Sequence, residues 1–312
     1  MDGILNILKP TGMSSFSVIA RLRKILNMKK IGHTGTLDPM AEGVLPVCIG
    51  KATKVIEFMV LDDKEYICAM RLGKSTDTQD AEGRTLEEGS VTAVSPIDIC
   101  NEIEKNVGDI MQVPPMYSAI KINGERLYKL AREGVTVERE ARKITIYGIE
   151  VLSIAQDEKM YNFNDNNCFM CDNEVEVKFV VKCSKGTYIR TLCNDIGERL
   201  GCYGYMYHLF RSEVGGKFKS EDAVTLEQVE KFVAEGTIDK FLKDCTYVLD
   251  YMERIDVSEE MAKCLLFGQR KRIDSKYVDN KYTIFSEKDE FLGIGEVNSG
   301  ILKMYKSFGC II

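Results

Sequence analysis

The sequence predicts an α+β protein with a mixed, largely antiparallel sheet, followed by a small C-terminal β domain. Runs rich in β-branched residues occur together with amphipathic helical runs, without the strand-helix alternation of a doubly wound parallel sheet. After about residue 248 the pattern changes to short apolar segments separated by Asp, Asn, Ser and Gly. This spacing favours a small barrel. We therefore divide the chain into residues 1–247 and 248–312.

The larger part begins with a strand, a turn and a helix. "GILNILKPTG" predicts a strand that ends at a Pro/Gly turn. In "SSFSVIARLRKILN" apolar residues recur at helical spacing, and Ser14 or Ser15 is the predicted N-cap. The predicted apolar stripe of this helix consists of Phe16, Ile19, Leu22 and Leu26.

Further elements follow the same criteria. Strands are predicted in "EYICAMRLG", "KITIYGIEVLSIA" and "EVEVKFVVKCS", and helices in "CNDIGERLG" and "TLEQVEKFVAEG". The Asn- and Asp-rich residues 155–173 predict a long hairpin tip or a surface excursion. In "CSKGTYIRTLCNDIG" a strand ends and a helix begins, so Tyr188 and Arg190 lie at a junction where side chains often line a cleft.

Composition argues against several classes of protein. Of the 312 residues 45% are hydrophobic, as in globular proteins. The apolar run at the start is too short for a secretory signal, and no window approaches the roughly 18 apolar residues of a membrane span. We therefore expect a cytoplasmic protein without membrane contact. The eleven cysteines are irregularly spaced, and only Cys168 and Cys171 form a C-x-x-C pair, so we expect reduced thiols and no metal site.

Charge is segregated along the chain. A net charge of −6 argues mildly against a nonspecific nucleic-acid binder. Residues 76–104 are strongly acidic, whereas residues 21–30 are basic and a second basic cluster follows at residues 270–272. Residues 113–143 interleave tyrosines with arginines and lysines, a pattern that suits stacking on unpaired bases and contact with phosphates. Solvated helix faces are the simpler explanation of the clusters at residues 21–30 and 270–272 when each is taken alone. An amphipathic helix explains residues 113–143 equally well, because Glu125, Glu133, Glu138 and Glu140 offset the bases.

Asp38 lies in an almost uncharged run, residues 31–50, whose only other formal charge is Glu42. The pair Asp38-Pro39 is most simply a helix cap with proline at the first helical position. The glycines at positions 32, 35 and 43 permit a tight loop and the close approach of another chain, which favours a catalytic role instead. Both interpretations stay open at this point.

Two superficial motifs fail on their spacing. In "GVLPVCIGKAT" six residues separate the glycines where a phosphate-binding loop needs four, so we exclude an NTPase. "TDTQDAEG" has Gln, Ala and Glu at positions where a calcium loop needs ligands and a glycine. We predict a turn whose side chains bond their own backbone.

Taken together, six segments in order resemble the TruB family of tRNA pseudouridine synthases, which isomerise the T-loop uridine at tRNA position 55. They are "KPTGMSS", "GHTGTLDPMAEGVLPVCIGKATK", "KEYICAMRLGKSTDTQDAEG", "PPMYSAIKINGERLYKLAREG", "CSKGTYIRTLCNDIGERLG" and "HLFRSEVGGKF". The resemblance implies the pseudouridine synthase fold for residues 1–247, with a thumb-like RNA-binding loop at about residues 113–142, and a PUA-like domain for residues 248–312. One departure is Phe210-Arg211, where the family commonly has two arginines.

The resemblance also implies the chemistry. Asp38 falls on the catalytic aspartate and Arg190 on the arginine that pairs with it. Tyr66 matches a tyrosine that stacks on the uracil; a second role, as acceptor of the carbon 5 proton, stays open because a phenol with an ordinary pKa near 10 is a poor base. Tyr188 matches a supporting tyrosine. The bond from ribose carbon 1′ to uracil nitrogen breaks and re-forms at carbon 5, so nothing is oxidised and no cofactor is expected.

Further residues are implied to contact RNA. Leu209 corresponds to an apolar wall against the base, and His33 to the residue that fills the space of the flipped nucleotide. The remaining predicted RNA contacts are Lys9, Tyr117, Lys121 and Arg132. The expected partner is the T-arm stem-loop of tRNA, and we expect a monomer that needs no protein partner.

Two other classes of function are weighed against this one. An RNA-binding or RNA-folding module would tolerate the loss of Asp38 but would need the basic segments. A glycoside hydrolase would use Asp38 and Glu42 as paired carboxylates on one face of a helix start, although the chain has no tryptophan to stack on a sugar.

Overall fold

The computed structural model describes residues 1–60, 63–122 and 124–309. Its strands, labelled β1 to β19 in chain order, are Gly3–Lys9, Ile31–His33, Glu42–Ile49, Lys64–Leu72, Lys74–Thr76, Thr85–Glu88, Gly108–Gln112, Lys121–Ile122, Glu125–Arg126, Arg142–Gln156, Lys159–Met160, Val175–Cys183, Gly204–Val214, Phe218–Lys219, Arg254–Val257, Lys271–Arg272, Asn280–Ser286, Phe291–Asn298 and Ile301–Ser307. The α-helices, α1 to α6, are Ser15–Ile25, Pro96–Glu104, Leu127–Arg132, Ile189–Arg199, Leu226–Ala234 and Glu259–Leu266. Shorter 3-10 helices are Gly50–Phe58, Ser220–Asp222, Ile238–Phe241 and Cys245–Val248.

The large sheet is mixed and mainly antiparallel, as predicted. Its strand order is β1-β3-β13-β4-β12-β10-β11, with β2 paired to β3, β14 to β13 and β7 to β10. The pairing of β3 with β13 is parallel, and the other pairs of this sheet are antiparallel. The predicted strands and helices of residues 1–247 all occur. None of the helices in the described residues is long and apolar enough to span a membrane.

Two groups of helices pack on different parts of the sheet. Helices α1 and α5 pack on β1 and β3, whereas α2 and α4 pack on the half built from β4, β12 and β13. Ser14 is the N-cap of α1, and Ile19 and Leu22 are buried as predicted. Phe16 is 69% exposed, so its place in the predicted stripe was wrong. Val18 takes that place, because Val18, Ile19 and Leu22 lie on the side of the helix that faces the sheet.

The first strand joins distant parts of the chain. On one side β1 pairs with β3 along its full length. On its other side Ile4 exchanges backbone hydrogen bonds with Lys243, at 2.8 and 2.9 Å, and the Leu8 amide donates to the Val224 carbonyl at 2.9 Å. Residues that lie more than 200 positions away in sequence therefore complete the ladder of this strand.

The C-terminal sheet has the order β15-β17-β18-β19-β16 and curls into a half-barrel. The apolar core of this sheet includes Ile255, Leu265 and Tyr282. A separate cluster joins the sheet to the rest of the molecule, because Ile294 and Phe308 pack with residues of β1, β3 and β14. The predicted small β domain is present, and it shares apolar packing with the larger part.

The excursion at residues 155–173 is both a hairpin and a packed loop. β11 pairs with the end of β10 across a turn with Asp157 and Glu158 at positive φ. The chain then passes the start of α2, where the Phe169 amide donates to the Val94 carbonyl at 3.1 Å. Phe169 is buried in the main core and contacts the Tyr161 ring edge-on at 5.0 Å. One buried aromatic side chain thus anchors an otherwise polar surface segment.

Gly43 permits the parallel contact between β3 and β13. It lies opposite Arg211 with φ +115°, and an added Cβ would overlap the backbone nitrogen and oxygen of Arg211. We expect Gly43→Ala to lower the free energy of unfolding by about 3 kcal/mol or more, from strain in φ and from the overlap together. Urea unfolding measures this change.

Gly108→Ala is the matched control. Gly108 has φ +107°, but an added Cβ there has no atom within 4 Å, so only the backbone strain applies. We expect that variant to lose about 1–2 kcal/mol. Equal losses in the two variants would show that the close approach of β13 does not depend on Gly43.

Candidate active site

The Asp38 segment is a fixed loop between β2 and β3, and no helix follows Pro39. The buried Ser15 hydroxyl donates to the Leu37 carbonyl at 3.0 Å and accepts from the Leu37 amide at 2.9 Å. The Gly12 amide donates to the Pro39 carbonyl at 2.8 Å. The helix-cap interpretation of Asp38 was therefore wrong. Bonds from the preceding turn and helix position this carboxylate instead.

Arg190 joins Asp38 to three other groups. Its Nη2 lies 3.0 Å from Asp38 Oδ2 and donates to the Tyr117 carbonyl at 2.8 Å. Its Nη1 donates to the Thr78 carbonyl at 3.1 Å and lies 3.3 Å from Asp80 Oδ2. The Arg190 side chain is only 6% exposed, whereas that of Asp38 is 40% exposed. The arginine is thus a fixed part of the interior, and the aspartate that it orients faces the open side.

Asp80 is a site residue that the sequence reasoning missed. The predicted turn is present: Asp80 Oδ1 accepts from the Thr78 hydroxyl at 2.5 Å and from the Glu82 amide at 3.1 Å. The second oxygen, Oδ2, faces Arg190. Burial is the main cause that raises the pKa of Asp80, and the Thr78 bond and the Arg190 charge oppose that rise. No local pattern distinguishes an oxygen that binds its own turn from one that contacts a distant arginine.

Tyr66 and Leu209 form an apolar wall near Asp38. They lie on the neighbouring strands β4 and β13 and share one core cluster with Leu37 and Met40 from the Asp38 loop. Both are almost fully buried. Burial raises the pKa of Tyr66, because the low-dielectric surroundings disfavour the phenolate.

Tyr188 precedes α4, two residues before Arg190. The Gln112 side chain donates to the Tyr188 carbonyl at 3.0 Å and accepts from its amide at 2.8 Å. The tyrosine is half-buried, and this burial raises the pKa of its hydroxyl despite the nearby Ser118 and Arg190. The end of β7 therefore fixes the start of the helix that carries Arg190.

His33 is the last residue of β2 and is half-buried. Burial is the main cause that lowers its pKa, and the charge of Arg211 acts in the same direction. The neutral imidazole is therefore favoured at neutral pH. The structure places His33 five residues before Asp38 on the strand that leads into the Asp38 loop.

Lys9 has an accessibility of 0%, so the expectation that it contacts RNA was wrong for this conformation. Its ammonium donates to the carbonyls of Pro10, Met13 and Pro39 at 2.8, 2.6 and 3.2 Å. The residue connects the end of β1 to the Asp38 loop. Its burial depends on packing between segments about 30 residues apart, which the local sequence does not reveal.

Lys9 makes stability depend on pH. Burial lowers its pKa to about 8, against an ordinary value of 10.5. A lysine with a depressed pKa in the folded state costs stability while it is charged, so that cost is relieved as pH rises above about 8. Relative to Lys9→Met, we expect wild type to gain about 2–3 kcal/mol between pH 7 and pH 10. Urea unfolding of both proteins across this range measures the difference, and a constant difference would contradict the assignment.

The predicted thumb contains a short hairpin, β8–β9, and helix α3. Tyr128 lies between Arg126 and Arg132, whose guanidinium carbons are 5.9 and 5.6 Å from the ring centroid. Lys121 and Arg132 are exposed. Across the described part of residues 113–142, no ion pair joins the bases to the acids of this segment. Ion pairs within the segment, which an ordinary amphipathic helix would have, therefore do not neutralise the positive charge of its arginines and lysines.

Glu42 does not form a carboxylate pair with Asp38 on a helix. It begins β3, where its carboxylate lies 3.3 Å from His208 Nε2 and accepts from the Thr11 hydroxyl at 3.3 Å. The geometry assumed for the hydrolase was therefore wrong. In the described residues there is no group of three or more His, Cys, Asp or Glu side chains that could bind a metal ion.

Comparison with known proteins places the chain in a family. The model of the TruB family pseudouridylate synthase N-terminal domain matches residues 23–189, which is more than half of the chain. The chain belongs to the TruB family. The model of the tRNA pseudouridylate synthase B C-terminal domain matches residues 190–252 of this TruB protein.

Individual relatives match over nearly the full length. The tRNA pseudouridine synthase B of Clostridium acetobutylicum is 44% identical over 311 residues, which cover 98% of this chain and 99% of the relative. The protein of the same name from Clostridioides difficile is 42% identical over 307 residues, with coverage of 96% and 95%.

Solved structures confirm the predicted fold class. A chain in a Cbf5-Nop10-Gar1 complex has a TM-score of 0.65 and 26% identity, covering 97% of this TruB chain and 79% of that chain. A chain in an archaeal box H/ACA Nop10-Cbf5 complex has a TM-score of 0.66 at 23% identity, with coverage of 98% and 86%. The second likeness concerns the fold alone.

Proposed function

We propose that this chain converts uridine to pseudouridine in the T loop of tRNA, at position 55. The observation that carries the proposal is the ion pair between a buried Arg190 and a half-exposed Asp38, beside an apolar wall, in a chain of the TruB family. An aspartate held in this way by Arg190 is oriented before the substrate arrives, which is what an attacking carboxylate requires.

The roles of the site residues follow from their positions. Asp38 attacks the nucleoside or removes a ribose proton, and Arg190 orients its carboxylate through their ion pair. Tyr66 and Leu209 provide the surfaces between which the uracil stacks and turns. Tyr188 closes the site next to the start of α4. Burial of these groups excludes water, so that the free base re-forms a bond with the ribose instead of being lost.

The RNA is proposed to lie across the open side of Asp38. Residues 113–142 close over it, with Tyr128 between two arginines and with Lys121 as a phosphate contact. Tyr117 lies near the start of this segment. His33 replaces the flipped nucleotide in the T loop. Residues 248–312, as a PUA-like domain, form the second part of the enzyme.

The proposed reaction requires no cofactor, because it rearranges bonds without a change of oxidation state. The proposed partner is the tRNA T arm alone. We propose that the protein acts as a monomer in the cytoplasm.

The test uses a T-arm stem-loop that carries tritium at carbon 5 of the target uridine. We expect tritium release and one pseudouridine per molecule at unchanged RNA mass. Loss of uracil with a gain of water would indicate a glycoside hydrolase. Binding of the stem-loop without release would indicate an RNA-binding module, and either result would overturn the proposal.

A further inference from the structure

Arg211 is a buried cation that no carboxylate in the described part of the chain neutralises. It is 1% exposed, and no carboxylate of the described residues forms an ion pair with it. Its Nε donates to the Val44 carbonyl at 2.8 Å and its Nη2 to the Gly35 carbonyl at 3.4 Å. Neutral donors could satisfy both carbonyls, and burying an unpaired charge is costly. The charge itself therefore needs an explanation beyond these two bonds.

Strand register places this guanidinium beside the Tyr66 phenol. Arg211 on β13 is the direct antiparallel partner of Tyr66 on β4, and both side chains point to the same face of the sheet. Gly43 lies opposite Arg211 on β3, so β13 can approach closely enough to place the arginine there. Five N–H donors in a planar fork leave donors available after the bonds to Val44 and Gly35.

Besides burial, the largest influences on the Tyr66 pKa come from three ionisable groups, Arg211, Cys183 and Asp38. Burial raises this pKa, and Cys183 and Asp38 act in the same direction, whereas Arg211 opposes the rise through its charge and a hydrogen bond. Arg211 is thus the only one of these groups that favours a phenolate.

We propose that Arg211 is a positioning residue that orients the Tyr66 hydroxyl and stabilises its phenolate while it removes the carbon 5 proton of the rotated uracil. This inference rests on the proposed function. In that step the proton passes from carbon 5 to the phenolate oxygen. The electron pair of the C–H bond forms the carbon 5–carbon 6 double bond, the pair of the former carbon 6–N1 double bond moves onto N1, and N1 takes up a proton. No oxidant or cofactor takes part.

The decisive test is a deuterium isotope effect at carbon 5. Turnover of a T-arm stem-loop with uridine or 5-deuterouridine at the target is measured for wild type and Arg211→Met. We expect the variant to be slower by a factor on the order of 10², as for the loss of general base catalysis. We also expect its isotope effect to exceed that of wild type, because proton removal has become the slow step.

A stem-loop with 5-fluorouridine separates the proposed role from a structural one. Fluorine cannot leave carbon 5 as a proton, so all steps before deprotonation can proceed and the last cannot. We expect Arg211→Met to consume this substrate at nearly the wild-type rate. A variant that slows uridine and 5-fluorouridine equally, without a larger isotope effect, would overturn the proposal.

Two further variants distinguish the proposed role of Arg211 from a general effect of misfolding. Arg199→Met removes another arginine, on α4, whose partners are Glu102 and Asn106, and it should leave the isotope effect at the wild-type value. Arg211→Lys retains the buried charge and serves if Arg211→Met does not fold; we expect the larger isotope effect there too, because one ammonium cannot reach Val44 and Tyr66 as the fork does.

A double-mutant cycle locates the partner of Arg211. In a Tyr66→Phe background, Arg211→Met should cost little further activity, because the group through which it acts is already absent. Full additivity would overturn the proposal. A wild type that does not convert uridine at all would instead refute the proposed function, so the two failures are distinguishable.

Discussion

Replacing Asp38 by Asn is expected to lower turnover by a factor on the order of 10⁴ or more, which is about 5.5 kcal/mol of transition-state stabilisation. The amide keeps the size of the side chain but is a poor nucleophile and carries no charge. In this variant Arg190 still forms its ion pair with Asp80, so the buried guanidinium is not left without a counter-ion. We therefore expect the variant to fold and to bind a T-arm stem-loop within a few-fold of wild type. Tritium release and a filter-binding assay measure the two properties.

Glu42→Gln is the matched control for Asp38→Asn. Glu42 is the only other carboxylate in residues 31–50, and it contacts His208 and Thr11 rather than Arg190. We expect this variant to retain most activity. A comparable loss of turnover in both variants would support the hydrolase with paired carboxylates instead. Loss of RNA binding in Asp38→Asn would show that Asp38 mainly supports the structure of the loop.

The second large effect is expected for Arg190→Lys. A single ammonium replaces a fork that contacts Asp38, Asp80 and the carbonyls of Thr78 and Tyr117. It cannot reach all four groups, and at least one buried carboxylate or carbonyl loses its donor. We expect turnover to fall by about 10²-fold or more. We also expect the free energy of unfolding to fall by about 3 kcal/mol, the usual cost of breaking a buried ion pair.

Arg199→Lys provides the comparison on the same helix. Arg199 lies in the last turn of α4, its side chain is about half exposed, and its carboxylate partner is Glu102. The loss of stability there should be below about 1 kcal/mol, with turnover unchanged. Near-normal turnover of Arg190→Lys would refute the role proposed for the ion pair.

Local patterns predicted the elements well and the environment of charged residues poorly. Alternation identified β4 and β12, and Ser14 marked the start of α1 because a cap acts within one turn. The turn around Asp80 was also predicted, since its bonds join neighbours in sequence. These features depend on interactions over a few residues, which a sequence displays directly.

The features that the sequence did not predict share a different cause. Lys9 and Arg211 are buried because segments distant in sequence close over them, and nothing in their neighbours signals this. Asp38 was given a cap interpretation because Asp-Pro is a frequent helix start, but tertiary bonds from Ser15 and Gly12 hold the segment as a loop. The family resemblance paired Asp38 with Arg190, which no spacing rule in one chain could have done.

The pairing of β1 also affects the order in which the protein can fold during its synthesis. Because β1 needs β3 on one side and residues near 224 and 243 on the other, a ribosome must deliver most of the chain before this strand has both neighbours. Domains that fold during synthesis usually close from the N-terminus onward. Here one edge of β1 waits for residues near 224 and 243, so that edge of an apolar strand stays unpaired while the intervening residues are synthesised.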